Sequence, residues 1–336
     1  MEPLRVNSEP RPEPDPMRMV RLNSSFAHVV GTLPPTLVKV PSMMSVIEKR
    51  ALYGLAKERY AGRGIIVDAG IFLGASTRCF GEGIQANADF TAIQKRWPKP
   101  IVSFERGIIN PGMPAFFKRN NVNITGKPGD SFAAQVLENV KPVAKLVDLR
   151  IGDILATALD IKDPIEILFL DVLKLPEISK FAIRKFFPLL IPGVSVVVQQ
   201  DYFYERLPYI KTDQEFFGDY FVYLGEVGSS ALFLYTEAIP KELFVRWEAG
   251  VPSREQERLA SIAMQRSVDP ARRFMMGLSK VRLMHQLYGV DAAKTYLAFV
   301  KGEFPEQVAA TKYDRLTESL RLVEKLCADG VSIDEF

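Results

Sequence analysis

The chain is poor in the two residue types that most often build metal centres and covalent frameworks. Its 336 residues include two cysteines, Cys79 and Cys327, and two histidines, His28 and His285. Two cysteines make no disulfide framework, and a reducing cytoplasm is the simplest compartment. Two histidines argue against a histidine-rich zinc site and leave little room for a Ser-His-Asp triad. An excess of one charge is missing too. Lys plus Arg is 43 against 40 Asp plus Glu, a formal +3, which gives no electrostatic case for a nucleic-acid partner. No apolar run reaches the roughly 18 residues that a membrane helix needs. The opening MEPLRVNSEPRPEPDP has no apolar core of a signal peptide, and residues 1–18 read as a disordered proline-rich arm.

What is present is ordinary for a globular protein: 47% hydrophobic and 25% charged residues. Residues 19–61 read as a covering segment followed by a helix that Ser45 and Glu48 open as a capping box. Short apolar runs then recur at 65–69, 101–104, 146–151, 166–170 and 194–199, most of them separated by helix-compatible segments. Near-continuous Val/Ile/Leu runs suit parallel strands buried on both faces, so the expected fold is α/β with a doubly wound sheet. "YFVYLGEVGSSALFLYTEAI" reads as two strands joined across Gly228, Ser229 and Ser230, an antiparallel hairpin at 220–236. These runs place the α/β domain at 62–240. Residues 253–330 read as an all-helical appendage. Ser253 with Gln256 caps one helix there, and Asp269 with Pro270 starts another that Gly289 ends. Asp291 opens a third, and Pro305 to Ala328 forms a long fourth.

"GRGIIVDAGIFLGAST", residues 62–77, reads as a strand, a glycine loop and a helix N-terminus, a common ligand cradle. It lacks the G-x-G-x-x-G of dinucleotide sites: Asp68 would sit beside a pyrophosphate, and Glu105, the next acid after an apolar run, comes too late. The phosphate-loop lysine is missing as well. A ligand with an adenosine end, no phosphate and a positive centre suits the loop better.

Asp68, Gly70 and Gly74 resemble the first motif of the class I S-adenosylmethionine-dependent methyltransferases, and later stations follow in order. Glu105 in "IVSFERG", Gly152-Asp153 in "LRIGDI" and Asp171 in "ILFLD" resemble that family's ribose, adenine and methionine stations, and "PLLIPG" resembles the turn before its fifth strand. The resemblance covers about residues 45–240. It implies a Rossmann-like, mostly parallel seven-stranded sheet, S-adenosylmethionine as cofactor, and a cofactor site formed by Asp68, Gly70, Phe72, Gly74, Ser76, Thr77, Glu105, Gly152, Asp153 and Asp171. Within the family the chain looks closest to the macrocin O-methyltransferase-like branch, which implies transfer to a hydroxyl of a sugar or natural product. Asp171 and Asp201 are then the candidate catalytic residues, and Tyr202, Phe203, Tyr204 and His28 the candidate acceptor-side residues.

That branch holds a metal with Asp-x-Asp after strand four and paired acids after strand five. Here Leu173 and Gln200 stand at two of those four positions, so no metal ligands are assigned. Plainer roles stand beside these: an ion pair of Glu105 with Arg106, an N-cap for Asp153, and core filling for Met43, Met44, Met275 and Met276. The residues leave open a non-catalytic cofactor- or partner-binding protein on the same fold and, less favoured by the loop, an NAD-dependent oxidoreductase. The helical appendage is expected to dock on the α/β domain or to build a homodimer.

Overall fold

The five Val/Ile/Leu runs become the parallel part of one sheet. The computed structural model describes residues 32–310 and 314–329; the arm 1–18 and His28 lie outside them. A short helix α1 (Pro35–Val38) precedes α2 (Val46–Gly54), which a π-helical turn extends to Arg59. Then follow β1 (Ile65–Ala69), α3 (Ala75–Gln85), α4 (Phe90–Arg96), β2 (Ile101–Glu105), α5 (Met113–Arg119), α6 (Ala133–Val140) and β3 (Val147–Ile151). The second half runs α7 (Ile154–Thr157), β4 (Ile165–Leu170), α8 (Pro176–Phe186), β5 (Val196–Gln199), α9 (Pro208–Phe216), β6 (Phe221–Val227) and β7 (Ser230–Tyr235).

The strands lie in the order β3-β2-β1-β4-β5-β7-β6. β1 to β5 are parallel, while β7 pairs antiparallel with both β5 and β6. This is the doubly wound sheet with a closing hairpin that the sequence pattern predicts, in the mostly parallel seven-stranded form that the resemblance implies. The hairpin turn is shorter than expected, because Ser230 already belongs to β7. Alternate residues feed two cores: Ile66, Ile101, Ile167 and Val196 on one face, Val67, Val102, Leu168 and Val197 on the other. Burial on both faces is why these strands read as continuous apolar runs.

The capping box forms as expected, and its glutamate has a second task. Glu48 Oε2 accepts from the Ser45 N–H at 2.7 Å. Its Oε1 accepts from the Ser229 N–H and hydroxyl, both at 2.9 Å, and so ties α2 to the β6–β7 turn. Gly228 makes that approach possible: at φ +59° it carries no Cβ, and one would lie 2.4 Å from the Glu48 carboxyl carbon.

Beyond the sheet come α10 (Lys241–Glu248), α11 (Ser253–Gln265), α12 (Pro270–Tyr288), α13 (Val290–Glu303), α14 (Pro305–Ala309) and α15 (Asp314–Asp329). Phe274, Leu278, Val281, Val300 and Val323 close a third core among α12, α13 and α15. The group packs on α9 and the sheet: Arg266 pairs with Glu215 at 2.8 Å, and Arg272 reaches Glu226 and the Gly228 carbonyl.

Four sequence expectations need correction here. Pro252, not Ser253, is the N-cap of α11, and Gln256 donates to the Val251 carbonyl at 2.7 Å instead of closing a capping box. α13 starts at Val290, so Asp291 lies in its first turn. The long fourth helix is two helices, because Ala310 leaves helical geometry at ψ 76°. Met43 is exposed, whereas Met275 and Met276 are buried.

Candidate functional site

Strand order reverses between β1 and β4, and open α/β sheets bind ligands at such a switch point, beyond the carboxyl ends of the strands. Gly70 and Asp171 meet there. The Asp171 N–H donates to the Ala69 carbonyl at 2.8 Å. Gly70 has φ +92°, and a Cβ would lie 2.7 Å from the Asp171 carbonyl oxygen, so only glycine lets the β1 loop cross β4 this closely. Gly74, at φ +87°, heads α3, and a Cβ there would strike Val140 of α6 at 2.6 Å.

Asp68 lies one residue inside the end of β1 and is fully buried. Its Oδ2 accepts from Thr77 Oγ1 at 2.7 Å and Ser76 Oγ at 3.1 Å, in the first turn of α3, where the helix dipole favours an anion. Oδ1 is buried with no hydrogen-bond partner. Burial pushes the Asp68 carboxyl up to about 7, against the pull of those two hydroxyls. Ser76 and Thr77 are themselves buried, so they anchor Asp68 and do not line an open surface.

Glu105 ends β2, half-buried. Its Oε2 accepts from the Phe72 N–H at 2.6 Å and Oε1 from the Gly107 N–H at 2.9 Å. Phe72 holds φ +50° to aim that N–H, and its ring packs against Phe116, Phe117 and Phe132. Burial raises the Glu105 pKa, while backbone bonds from Gly107, Phe72 and Arg106 oppose the rise. Main-chain bonds thus hold Glu105, in place of the alternative ion pair with Arg106. Of the four lone pairs of the carboxylate, these three bonds leave one free. The Gly152 N–H donates to the Glu105 carbonyl at 2.8 Å, and exposed Asp153 caps α7 through the Leu155 N–H at 2.9 Å.

At the ends of β4 and β5 stands a group that the sequence reading missed. Lys174 Nζ donates to Asp171 Oδ1 at 2.8 Å and also to Asp201 Oδ2. Burial opposes the charge on Lys174, but the two carboxylates outweigh it and hold the ammonium above the ordinary lysine range. Burial raises the Asp171 pKa, with Lys174 opposing and Asp201 reinforcing the rise. Asp201 adopts φ +59°, a left-handed turn that aspartate tolerates. The signal was legible as "DVLK", a lysine three residues after the acid, but no spacing rule says that it turns back onto two strands.

The acceptor-side aromatics divide. Tyr202 is fully buried, its hydroxyl donates to Glu215 at 2.6 Å, and its ring packs on Phe203 and Phe233. Phe203 is also buried, beneath the Arg272 guanidinium. Neither walls an open acceptor site; both belong to the core. Tyr204 is half-buried, with Arg206 and Arg315 guanidinium carbons 5.7 and 5.3 Å from its ring centre. His28 lies outside the described residues.

The residues do not suit the metal that the resemblance implies. Leu173 is buried and apolar, and the Gln200 amide donates to Ser229 Oγ at 2.8 Å and accepts from Ser230, one step from Glu48. An acid at 200 would face Glu48 across that relay. Two hollows, of about 480 Å³ beside Tyr53 and Arg78 and about 180 Å³ beside Arg63 and Glu166, lie away from these carboxyl ends.

No family model and no curated protein matches the chain. It is similar to the apo structure of a TDP-rhamnose 3'-O-methyltransferase of calicheamicin biosynthesis, at 19% identity over 70% of this chain and 100% of that one, TM-score 0.39. A cofactor-bound protein from MTB is 18% identical over 67% of this chain and 91% of its own, TM-score 0.36. An SAH-bound methyltransferase from Podospora anserina is 13% identical over 75% and 88%, TM-score 0.35. At TM-scores this low the likenesses bear on neither activity nor acceptor.

Proposed function

We propose that this chain is an S-adenosylmethionine-dependent methyltransferase that acts on a hydroxyl of a small polar acceptor, a sugar or natural product. The observation that carries the reading is the line of acids across the switch point, above all the fully buried Asp68 whose Oδ1 has no partner. A buried carboxylate oxygen without a hydrogen bond is costly, and a ligand's ammonium group would relieve it. The remaining lone pair of Glu105 suits a hydroxyl of a diol such as a ribose, and Gly152 lies beside it at the end of β3. Asp68, Glu105, Gly152 and Asp171 would hold the cofactor, which supplies an electrophilic methyl group when bound.

The protein's part in such a displacement is to align the acceptor and exclude water. A hydroxyl also needs a group to take its proton, and Asp171 and Asp201, at the carboxyl ends of adjacent strands, are the candidates. Tyr204 would border the acceptor. Dinucleotides fit less well, because the buried Asp68 would repel a pyrophosphate.

Calorimetry with S-adenosylhomocysteine and with NAD on the full chain tests the reading. The expected result is saturable S-adenosylhomocysteine binding, with a rise in stability of roughly 2.7 kcal/mol at 100 times Kd. NAD binding without S-adenosylhomocysteine binding would sink it. Cofactor binding with no turnover on any acceptor would favour the non-catalytic alternative.

A further inference from the structure

The three charged groups at the ends of β4 and β5 form a closed set. Lys174 follows Asp171 by three residues, and its N–H donates to the Val172 carbonyl at 2.7 Å in a tight turn. That turn brings the side chain back over the strand ends, where its ammonium joins two carboxylates from adjacent strands. The side chains are 42% exposed for Lys174, 23% for Asp171 and 16% for Asp201, so the set borders the open carboxyl edge of the sheet.

We propose that Lys174 is a built-in cation that takes the place of a divalent metal between Asp171 and Asp201, so that this site works without a metal ion. The positions around it fit that assignment. A hard divalent cation wants several oxygen ligands at about 2.0–2.6 Å, and here two acids remain. The side chain at 173 is buried leucine, and the amide at 200 is bonded to two serines on the side of Glu48. An ammonium needs less. It has three N–H donors, two of which are satisfied by the aspartates, and the third is left for an acceptor oxygen. That third bond rests on the methyl-transfer reading; the replacement of the metal does not.

Removal of the ammonium should create weak metal affinity, because two carboxylates at the ends of adjacent strands would be left without a counter-charge, and waters can fill the other positions around a cation that they hold. Mn²⁺ binding is followed by electron paramagnetic resonance on the full-length wild type, Lys174→Ala and Lys174→Met, the last keeping most of the side-chain volume. Asp201→Asn is added to each background, and melting curves report folding.

The expected result is no Mn²⁺ binding by the wild type at millimolar concentration, at least tenfold tighter binding by both Lys174 variants, and loss of that gain with Asp201→Asn. Wild-type binding that Asp201→Asn abolishes would overturn the proposal, and so would folded Lys174 variants that gain nothing. If both variants fail to fold, the wild-type titration and its Asp201→Asn control decide alone. S-adenosylhomocysteine binding in the same wild-type sample is a separate readout, so failure of the methyl-transfer reading is not confused with failure of this one.

Discussion

Asp68→Asn separates the electrostatics of the candidate cofactor site from its shape. The side chain keeps its size, and its oxygen can still accept from Ser76 and Thr77, but the charge is gone. Burial raises the folded-state pKa of Asp68 from 3.8 to about 7. Between those values the folded state holds a proton that the unfolded chain has released. Stability from this group is therefore greatest at low pH, falls as pH rises towards 7, and is level above it. About three pH units at 1.36 kcal/mol each is roughly 4 kcal/mol over the whole window. Between pH 5 and pH 7.5 the share is roughly 3 kcal/mol.

Burial also raises Asp213 to about 6, so the wild type carries the same sign from a second group. Urea unfolding of the apo protein at pH 5, 6, 7 and 7.5 should show stability falling with pH. Asp68→Asn should lose roughly 3 kcal/mol of that fall and retain the rest. Added S-adenosylhomocysteine should recover the loss in the wild type, with affinity rising with pH, and bind more weakly and with less pH dependence to the variant. Equal pH slopes in the two apo proteins would refute the assignment of a strained, buried charge to Asp68.

Glu105→Gln replaces one acceptor facing the Phe72 or Gly107 N–H with a donor, so stability should fall by about 1–3 kcal/mol and S-adenosylhomocysteine affinity by about tenfold; calorimetry showing unchanged affinity counts against the ribose role. Gly70→Ala, at φ +92° with a Cβ 2.7 Å from Asp171, should cost about 1–3 kcal/mol, and a melting temperature equal to wild type would contradict the close crossing. Glu48→Ala removes the carboxylate half of the capping box and leaves the Ser229 N–H without its partner, so unfolding in urea should show a loss of about 2–4 kcal/mol, more than half a capping box alone. Truncation after Pro240 uncovers Glu215 and the apolar face beneath α11 and α12; light scattering should show aggregation, and a stable, unaggregated fragment would mean that the appendage is an independent module.

The sequence by itself determined the parallel strands, their order of appearance and the closing hairpin. Runs such as Ile65–Val67 and Ile165–Leu170 are apolar because both faces are buried, and that requirement is written locally. It also determined the ends of several elements. Ser45 with Glu48 and Asp269 with Pro270 cap helices through residues two or three positions away, and Gly289 stops a helix by its own conformation. Glu105 and Asp171 were legible as strand-end acids because open α/β sheets place ligands there.

Tertiary structure alone decided which of the neighbouring polar groups face a ligand and which face the protein. Ser76 and Thr77 look free in sequence, but a buried Asp68 eight and nine residues earlier takes their hydroxyls. Tyr202 follows a candidate catalytic acid, yet Glu215 across the β5–α9 loop draws its hydroxyl into the core. Ser253 looks like a cap, but the chain enters α11 through Pro252 and leaves it inside the first turn. Lys174 is an unremarked lysine until β4 and β5 come side by side and give it two carboxylates. Local pattern records what a residue must be buried with on average; the partner of a charge is set by which distant strand lies next to it.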